Sequence, residues 1–184
     1  MRIISGKYKG RRITAPKKLP VRPTTDMAKE ALFNIINNLY YFDELSVLDL
    51  FSGTGNISYE FASRGTEQIT AVDQDFGCIR FINKTAEEFD MPIQTIKSNV
   101  FKYLESTKQK HSLIFADPPY AFSENQFEEI SNAIFENELL HEDGLLIIEH
   151  SKHTDLSNFK HFSYSKSYGG NMFSFFENTI KDEE

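Results

Sequence analysis

The sequence predicts an α/β fold: a doubly wound, mostly parallel sheet with an antiparallel last strand, preceded by a small basic hairpin and a helix. Three observations carry this. Short apolar runs at 46–50, 68–73, 93–97, 112–116 and 144–149 alternate with helix-period segments at 56–64, 76–89, 100–106 and 123–138, and such alternation implies parallel strands with helices packed on the sheet. The turn Ser52-Gly53-Thr54-Gly55 joins the first run to its helix, as in nucleotide-binding α/β folds. At the end of the chain, His161–Ser167 and Met172–Asn178 flank Tyr168-Gly169-Gly170-Asn171, which reads as a hairpin.

The elements follow in order. Residues 1–22 hold eight of the 20 basic residues and none of the 27 acidic ones. The segment thus carries +8 on a chain whose net charge is −7. The asymmetry points to a phosphate-binding arm on a body that repels non-specific polyanions. Ile3, Ile4, Tyr8 and Ile13 interleave with the charges, and Gly6 and Gly10 suggest a bent hairpin; a disordered basic tail is the alternative. Thr24 to Asp26 can cap a helix running to Leu39, with Ala28, Ala31, Leu32, Ile35 and Ile36 on one face. The alternating core follows from 45 to 178. At 184 residues, 40% hydrophobic and with 17 Phe, the chain can fill one sizeable core, and no internal repeat or linker divides it. Cys78, the one cysteine, allows no internal disulfide. With no apolar leader at the start and no long uncharged apolar run, a cytoplasmic location without membrane association is expected.

Two motifs carry chemistry. Val47-Leu48-Asp49-Leu50-Phe51 runs into the glycine turn, and Ser58 stands where a dinucleotide fingerprint would place its third glycine. Close packing of a pyrophosphate is therefore poorly provided for. Asp49 instead puts a carboxylate beside the turn, which repels phosphate and suits an amino group. Eighteen residues after Gly55, the second strand ends in Asp73, placed to accept from two ribose hydroxyls. An amino acid joined to a ribose describes S-adenosylmethionine.

The second motif is Asp117-Pro118-Pro119-Tyr120, after the apolar run Leu113-Ile114-Phe115-Ala116. Proline has no N–H and holds its predecessor extended. The loop is therefore stiff and offers mainly acceptors, followed by an aromatic face. Two acceptors can hold both hydrogens of a planar exocyclic amine while Tyr120 stacks on the ring, its face rather than its hydroxyl making the contact. An ordinary strand-to-turn exit is the bland alternative.

The order Asp-Leu-Phe-Ser-Gly-Thr-Gly, Val-Asp, Asp-Pro-Pro-Tyr resembles class I methyltransferases acting on an amine nitrogen. The basic opening Arg2-Ile3-Ile4-Ser5-Gly6-Lys7, then Lys9-Gly10-Arg11-Arg12, and the stretch Arg22-Pro23-Thr24-Thr25-Asp26 make the chain similar to the RsmD family. The resemblance runs from Arg2 to about Phe176. It implies a Rossmann-like class I methyltransferase sheet, a single domain over 1–184, and methylation of a guanine N2 amine in small-subunit ribosomal RNA. Ribosomal RNA is the implied partner, naked or within a partly assembled subunit, with the protein a monomer.

It also implies site residues. S-adenosylmethionine would meet Asp49 through its amine, directly or through water, Gly53 and Gly55 would lie beneath it, and Phe51, Ser52 and Thr54 would line the turn. Asp73 would take the ribose and Gln74 would pack beside the adenine. Asn99, just before Val100, stands where the family usually has an acidic residue for the adenine amine. Asp117, Pro118, Pro119 and Tyr120 would form the catalytic loop. Arg2, Lys7, Lys9, Arg11, Arg12, Arg22 and Thr24 would contact RNA.

Other clusters are weaker. Glu149-His150-Ser151-Lys152-His153 lacks a third ligand at metal-binding spacing, so no metal is expected. Phe173, Phe175 and Phe176 fit a half-buried strand better than a stacking platform. Two alternatives to the guanine reading stay open: an adenine or cytosine amine in DNA or other RNA, and a binding protein that keeps the fold without turnover.

Overall fold

The computed structural model describes residues 1–21 and 24–179. The elements, in order, are α1 (Asp26–Leu39), β1 (Ser46–Leu50), α2 (Asn56–Ser63), β2 (Gln68–Asp73), α3 (Phe76–Phe89), β3 (Ile93–Lys97), α4 (Val100–Ser106), β4 (His111–Ala116), α5 (Glu124–Glu136), β5 (Leu140–Ser151), β6 (Phe162–Tyr168) and β7 (Asn171–Glu177). One sheet has the order β3-β2-β1-β4-β5-β7-β6. The first five strands pair in parallel, and β7 runs antiparallel between β5 and β6. The sequence-predicted alternation and closing hairpin are thus both present, with Gly169 and Gly170 as the two turn residues.

Element ends match the expected ones closely because local chemistry sets them. Thr25 caps α1, its side chain accepting from the Ala28 amide. Ser123 and Gln126 form a reciprocal capping box on α5. β5 departs from expectation by starting at Leu140 rather than 144, since its register with β4 shifts between His111 and Leu113 and an extra segment joins the ladder.

Strand alternation sorts the core onto two faces. Leu48, Leu50, Ile114, Ile148 and Phe176 pack against α4 and α5. Val47, Leu113, Phe115, Ile147, Phe173 and Phe175 pack against α1 and α2. All three C-terminal phenylalanines are fully buried, as expected of sheet core.

A third cluster seats the N-terminal arm: Ile3 and Ile13 pack with Tyr59, Ala71, Ile82 and Met91. The arm is a folded hairpin. Arg2 and Arg12 form an antiparallel bridge, the Ile3 amide donates to the Arg11 carbonyl at 2.9 Å, and the Lys7 amide donates to the Ser63 carbonyl at 2.7 Å. Gly6, at φ +87°, lies so close to α2 that a Cβ there would stand 1.9 Å from the Ser63 carbonyl oxygen. The disordered-tail alternative is set aside for the described part of the arm.

Candidate active site

The strand order reverses between β1 and β4, and in open α/β sheets ligands bind at the carboxyl ends of the strands beside such a point. A cleft of about 770 Å³ opens there. Asp49, Phe51, Ser52, Gly53, Thr54, Asp73, Gln74, Asn99, Val100, Asp117, Pro118, Pro119, Tyr120 and Thr24 all line it. Two motifs 64 residues apart in sequence, counted from Gly53 to Asp117, therefore meet in one cavity. Gly55 does not line it.

The glycine turn owes its shape to several constraints. Phe51, the residue leaving β1, has φ 56°. A bulky residue held there costs roughly 1–3 kcal/mol, and this one is braced by an edge contact with the Phe122 ring at 5.6 Å. Gly55 caps α2 at φ +90°, and a Cβ there would lie 2.7 Å from the Tyr59 ring and 2.9 Å from Ile82. A side chain there would have to push the Tyr59 ring and the Ile82 side chain aside, and the positive φ would strain it as well. The Ser52 amide donates to the Val72 carbonyl and the Gly53 amide to Asp73 Oδ2, which ties the turn to the end of β2. The Ser52 hydroxyl is buried and finds no hydrogen-bond partner among the described residues.

The two acidic residues differ. Asp49 is fully buried, and burial pushes its carboxyl up to about 7 even though the Ser58 hydroxyl donates to it at 2.7 Å. Position 58, read from sequence only as a missing glycine, is thus the residue that holds the Asp49 carboxylate. Asp73 is half-buried and raised above the usual carboxylate range by burial, opposed by the amides of Asp75 and Gly53. Asn99 stands exposed at the rim with its side-chain oxygen capping α4 at the Lys102 amide. An Asp would cap the helix equally well, and nothing in the structure explains the departure from the acidic residue of the family pattern.

The Asp117–Tyr120 loop leaves β4 beside β1, where the Asp117 amide lies 3.4 Å from the Leu50 carbonyl. Pro118 is buried, Asp117 half-buried, and Pro119 and Tyr120 face solvent. Phe122 anchors the loop by ring contacts with Phe51, Phe101 and Phe127. The Tyr120 hydroxyl, expected to be idle, donates to Asn171 Oδ1 at 3.2 Å.

Of the expected RNA contacts, Arg2, Lys7, Lys9, Arg11 and Arg12 are exposed on the folded hairpin. Arg2 pairs with Asp26 at 3.2 Å, the Lys7 ammonium lies over the Tyr8 ring, and the Arg11 guanidinium lies over Phe89. Arg22 lies outside the described residues. Thr24 is half-buried, its hydroxyl donating to Glu149 Oε2 at 3.1 Å. Glu149 and His150 point away from each other: His150 bonds to Ser174 and to the Ser151 carbonyl, and Glu149 to Thr24. Among the described residues no cluster of His, Cys, Asp and Glu is arranged to hold a metal. None of their helices is long and apolar enough to cross a membrane.

Sequence reading missed Lys29 and Glu60. Both are buried, between the arm and the cleft, and the only sequence signal was a charge among the residues each helix buries.

The sheet order, the inserted antiparallel β7 and the cleft define a class I methyltransferase. The solved structure of yhhF from Escherichia coli, named as a methyltransferase, superimposes with a TM-score of 0.83 at 26% identity, covering 97% of this chain and 99% of that one. A Haemophilus influenzae protein named as a methylase gives 0.76 at 25%, covering 96% and 97%. The family model described as conserved hypothetical protein 95 matches residues 1–177, and the chain belongs to this family, the RsmD methyltransferases. Its relatives include YlbH of Bacillus subtilis, whose name places it among rRNA methyltransferases, 35% identical over 161 residues covering 85% of each chain. Ribosomal RNA small subunit methyltransferase D of Escherichia coli is 29% identical over 150 residues, covering 81% of this chain and 74% of that one.

Proposed function

We propose that this protein transfers the methyl group of S-adenosylmethionine to the exocyclic N2 amine of a guanine in small-subunit ribosomal RNA. The observation that carries the reading is the convergence of the amine loop Asp117–Tyr120 and the Asp49–Asp73 glycine turn in one cleft. The names of the relatives supply the RNA class.

The residues fit this cofactor. Asp49 would meet the cationic amino group, directly or through water, and Asp73 would offer acceptors to the ribose hydroxyls. Ser52 brings a buried hydroxyl that lacks a partner among the described residues, and Gly55 lets the turn pass close over the Tyr59 and Ile82 side chains. Asn99, Val100 and Gln74 close the adenine side. When bound, the cofactor supplies an electrophilic methyl on a positively charged sulfur, so the chain needs no metal to activate it.

What remains for the protein is positioning, which can contribute about 7–11 kcal/mol when the reacting atoms are held near attack geometry. The Asp117 carboxylate and a neighbouring backbone carbonyl accept the two amine hydrogens and turn the nitrogen lone pair toward the methyl. Tyr120 stacks on the ring of an unpaired or flipped-out base. After transfer the nitrogen has become acidic, and its proton passes to Asp117 or to water. The arm, through Arg2, Lys7, Lys9, Arg11, Arg12 and Arg22, holds the RNA backbone, with Thr24 between arm and cleft.

The test is transfer of a labelled methyl group to small-subunit RNA by purified protein in EDTA. Wild type labels the RNA, and Asp117→Ala retains cofactor affinity within a few-fold while losing most of the transfer. Wild-type turnover by Asp117→Ala would show that the loop is misassigned.

A further inference from the structure

Tyr120 is not held by its own loop alone. The residue is 46% exposed, and its hydroxyl reaches Asn171 Oδ1, 51 residues away, at 3.2 Å. The sheet order makes this possible. Because β7 runs antiparallel beside β5, its first residue stands at the same rim as the ends of β4 and β5. The loop after β4 therefore reaches across the end of β5 to the start of β7.

Asn171 is firmly placed for this contact. It pairs with Ser151 of β5 on one side and Tyr168 of β6 on the other, and the tight Gly169-Gly170 turn precedes it. Met27, at the start of α1, closes up against the turn: a Cβ on Gly169 would meet its terminal methyl at 3.9 Å. On the cleft side, Phe122 pins the loop two residues past Tyr120. The ring thus stands between two fixed points, its backbone anchored by Phe122 and its hydroxyl by Asn171.

We propose that Asn171 is a positioning residue for the target base: by accepting the Tyr120 hydroxyl it holds the tyrosine ring upright as one wall of the base site. The proposal rests on reading Tyr120 as the face on which the base stacks. An untethered ring would have to give up its torsional freedom when the base arrives, and the tether removes that cost beforehand. Asn171 acts through Tyr120 and belongs to the RNA side of the site. Stacking is made in the ground state and the transition state alike, so its loss falls on KM for RNA and leaves kcat nearly unchanged.

The experiment compares Asn171→Ala, Tyr120→Phe, the double variant, Asn171→Asp and Tyr120→Ala in steady-state methyl transfer to small-subunit RNA. Cofactor affinity by calorimetry and thermal midpoints are measured alongside. Asn171→Ala and Tyr120→Phe should each raise KM for RNA about three- to tenfold, the range one hydrogen bond supplies. The double variant should be no worse than either single one. Asn171→Asp keeps an oxygen acceptor and should return KM to within about twofold of wild type. Cofactor affinity and thermal midpoints should not move. Multiplying effects in the double variant, or an Asn171→Asp as impaired as Asn171→Ala, would overturn the proposal. Undiminished transfer by Tyr120→Ala would instead overturn the stacking role of Tyr120 on which it rests.

Discussion

The Lys29 ammonium lies 3.3 Å from Glu60 Oε2, with the two side chains 1% and 0% exposed. An ion pair so buried holds only when its other hydrogen-bonding sites are filled. Here they are: Lys29 also donates to the Arg2 carbonyl and to Asn56 Oδ1, at 2.5 and 2.9 Å. Glu60 accepts from the amides of Ile4 and Ser5 and pairs with Arg64. One buried pair thus joins the arm to α1 and to Asn56, the first residue of α2, which lines the cleft. Burial pulls the Lys29 ammonium below the usual lysine range, and Glu60 opposes that shift.

Lys29→Met should therefore cost about 3–5 kcal/mol, because it leaves a buried carboxylate short of a partner. Urea unfolding measures the cost. Hydrogen exchange locates it: the amides of Ile3 and Ile13 should lose more protection than those of Leu48 and Ile114 in the central strands. Uniform loss across the sheet would show that the pair does not serve the arm in particular.

Asp49 gives two pH dependences that both end near neutrality. Its folded value of about 7 lies above the unfolded carboxylate value, so its contribution to stability is full below about pH 4 and is lost as pH rises through 7. Asp49→Asn should flatten that decline in urea unfolding followed from pH 4 to 8. Binding has the opposite sign, since a cationic amino group favours the ionised carboxylate. Affinity for S-adenosylmethionine should climb as pH rises from 6 toward 7.5 in wild type and stay level in Asp49→Asn. A level wild-type curve would remove Asp49 from the amine.

Asp73→Ala should weaken cofactor binding by about 1.5–3 kcal/mol, the order for hydrogen bonds to a charged group. The same change frees the Gly53 and Asp75 amides that Asp73 now accepts. Calorimetry giving unaltered affinity would take Asp73 out of the site.

Much of this was legible in the sequence because it rests on local chemistry. Period-2 and period-3.6 patterns, Thr25 and Ser123 as caps, and Gly169-Gly170 as a turn each act within a few residues, and each element fell within a few residues of its expected place. The cleft that holds the candidate site was legible for a different reason: Asp49, Asp73 and Asp117 stand at or near strand ends, and parallel strands bring those ends to one rim. What stayed hidden depends on contacts across long stretches of chain. Ser58 binding Asp49, Lys29 burying itself against Glu60, and Tyr120 reaching Asn171 leave no periodic trace, since each joins side chains on separate elements. The strained Phe51 was equally silent, as nothing in its neighbours demands a positive φ.

The arm should grip phosphate through side chains and leave the cofactor alone. Neutralising Lys7, Lys9, Arg11 and Arg12 together should weaken RNA binding and flatten its salt dependence, each lost contact changing the log–log slope by roughly 0.7–0.9. Affinity for S-adenosylmethionine should stay within about twofold. Methylation unchanged after deletion of residues 1–14 would contradict the arm's role.

The most direct test is mass spectrometry of small-subunit ribosomal RNA nucleosides from cells carrying the gene, lacking it, or lacking it but expressing Asp117→Ala. The account predicts an N2-methylguanosine that is present in the first and missing from the other two. An N2-methylguanosine content identical in all three, or loss of a methylated adenine or cytosine instead, would contradict it.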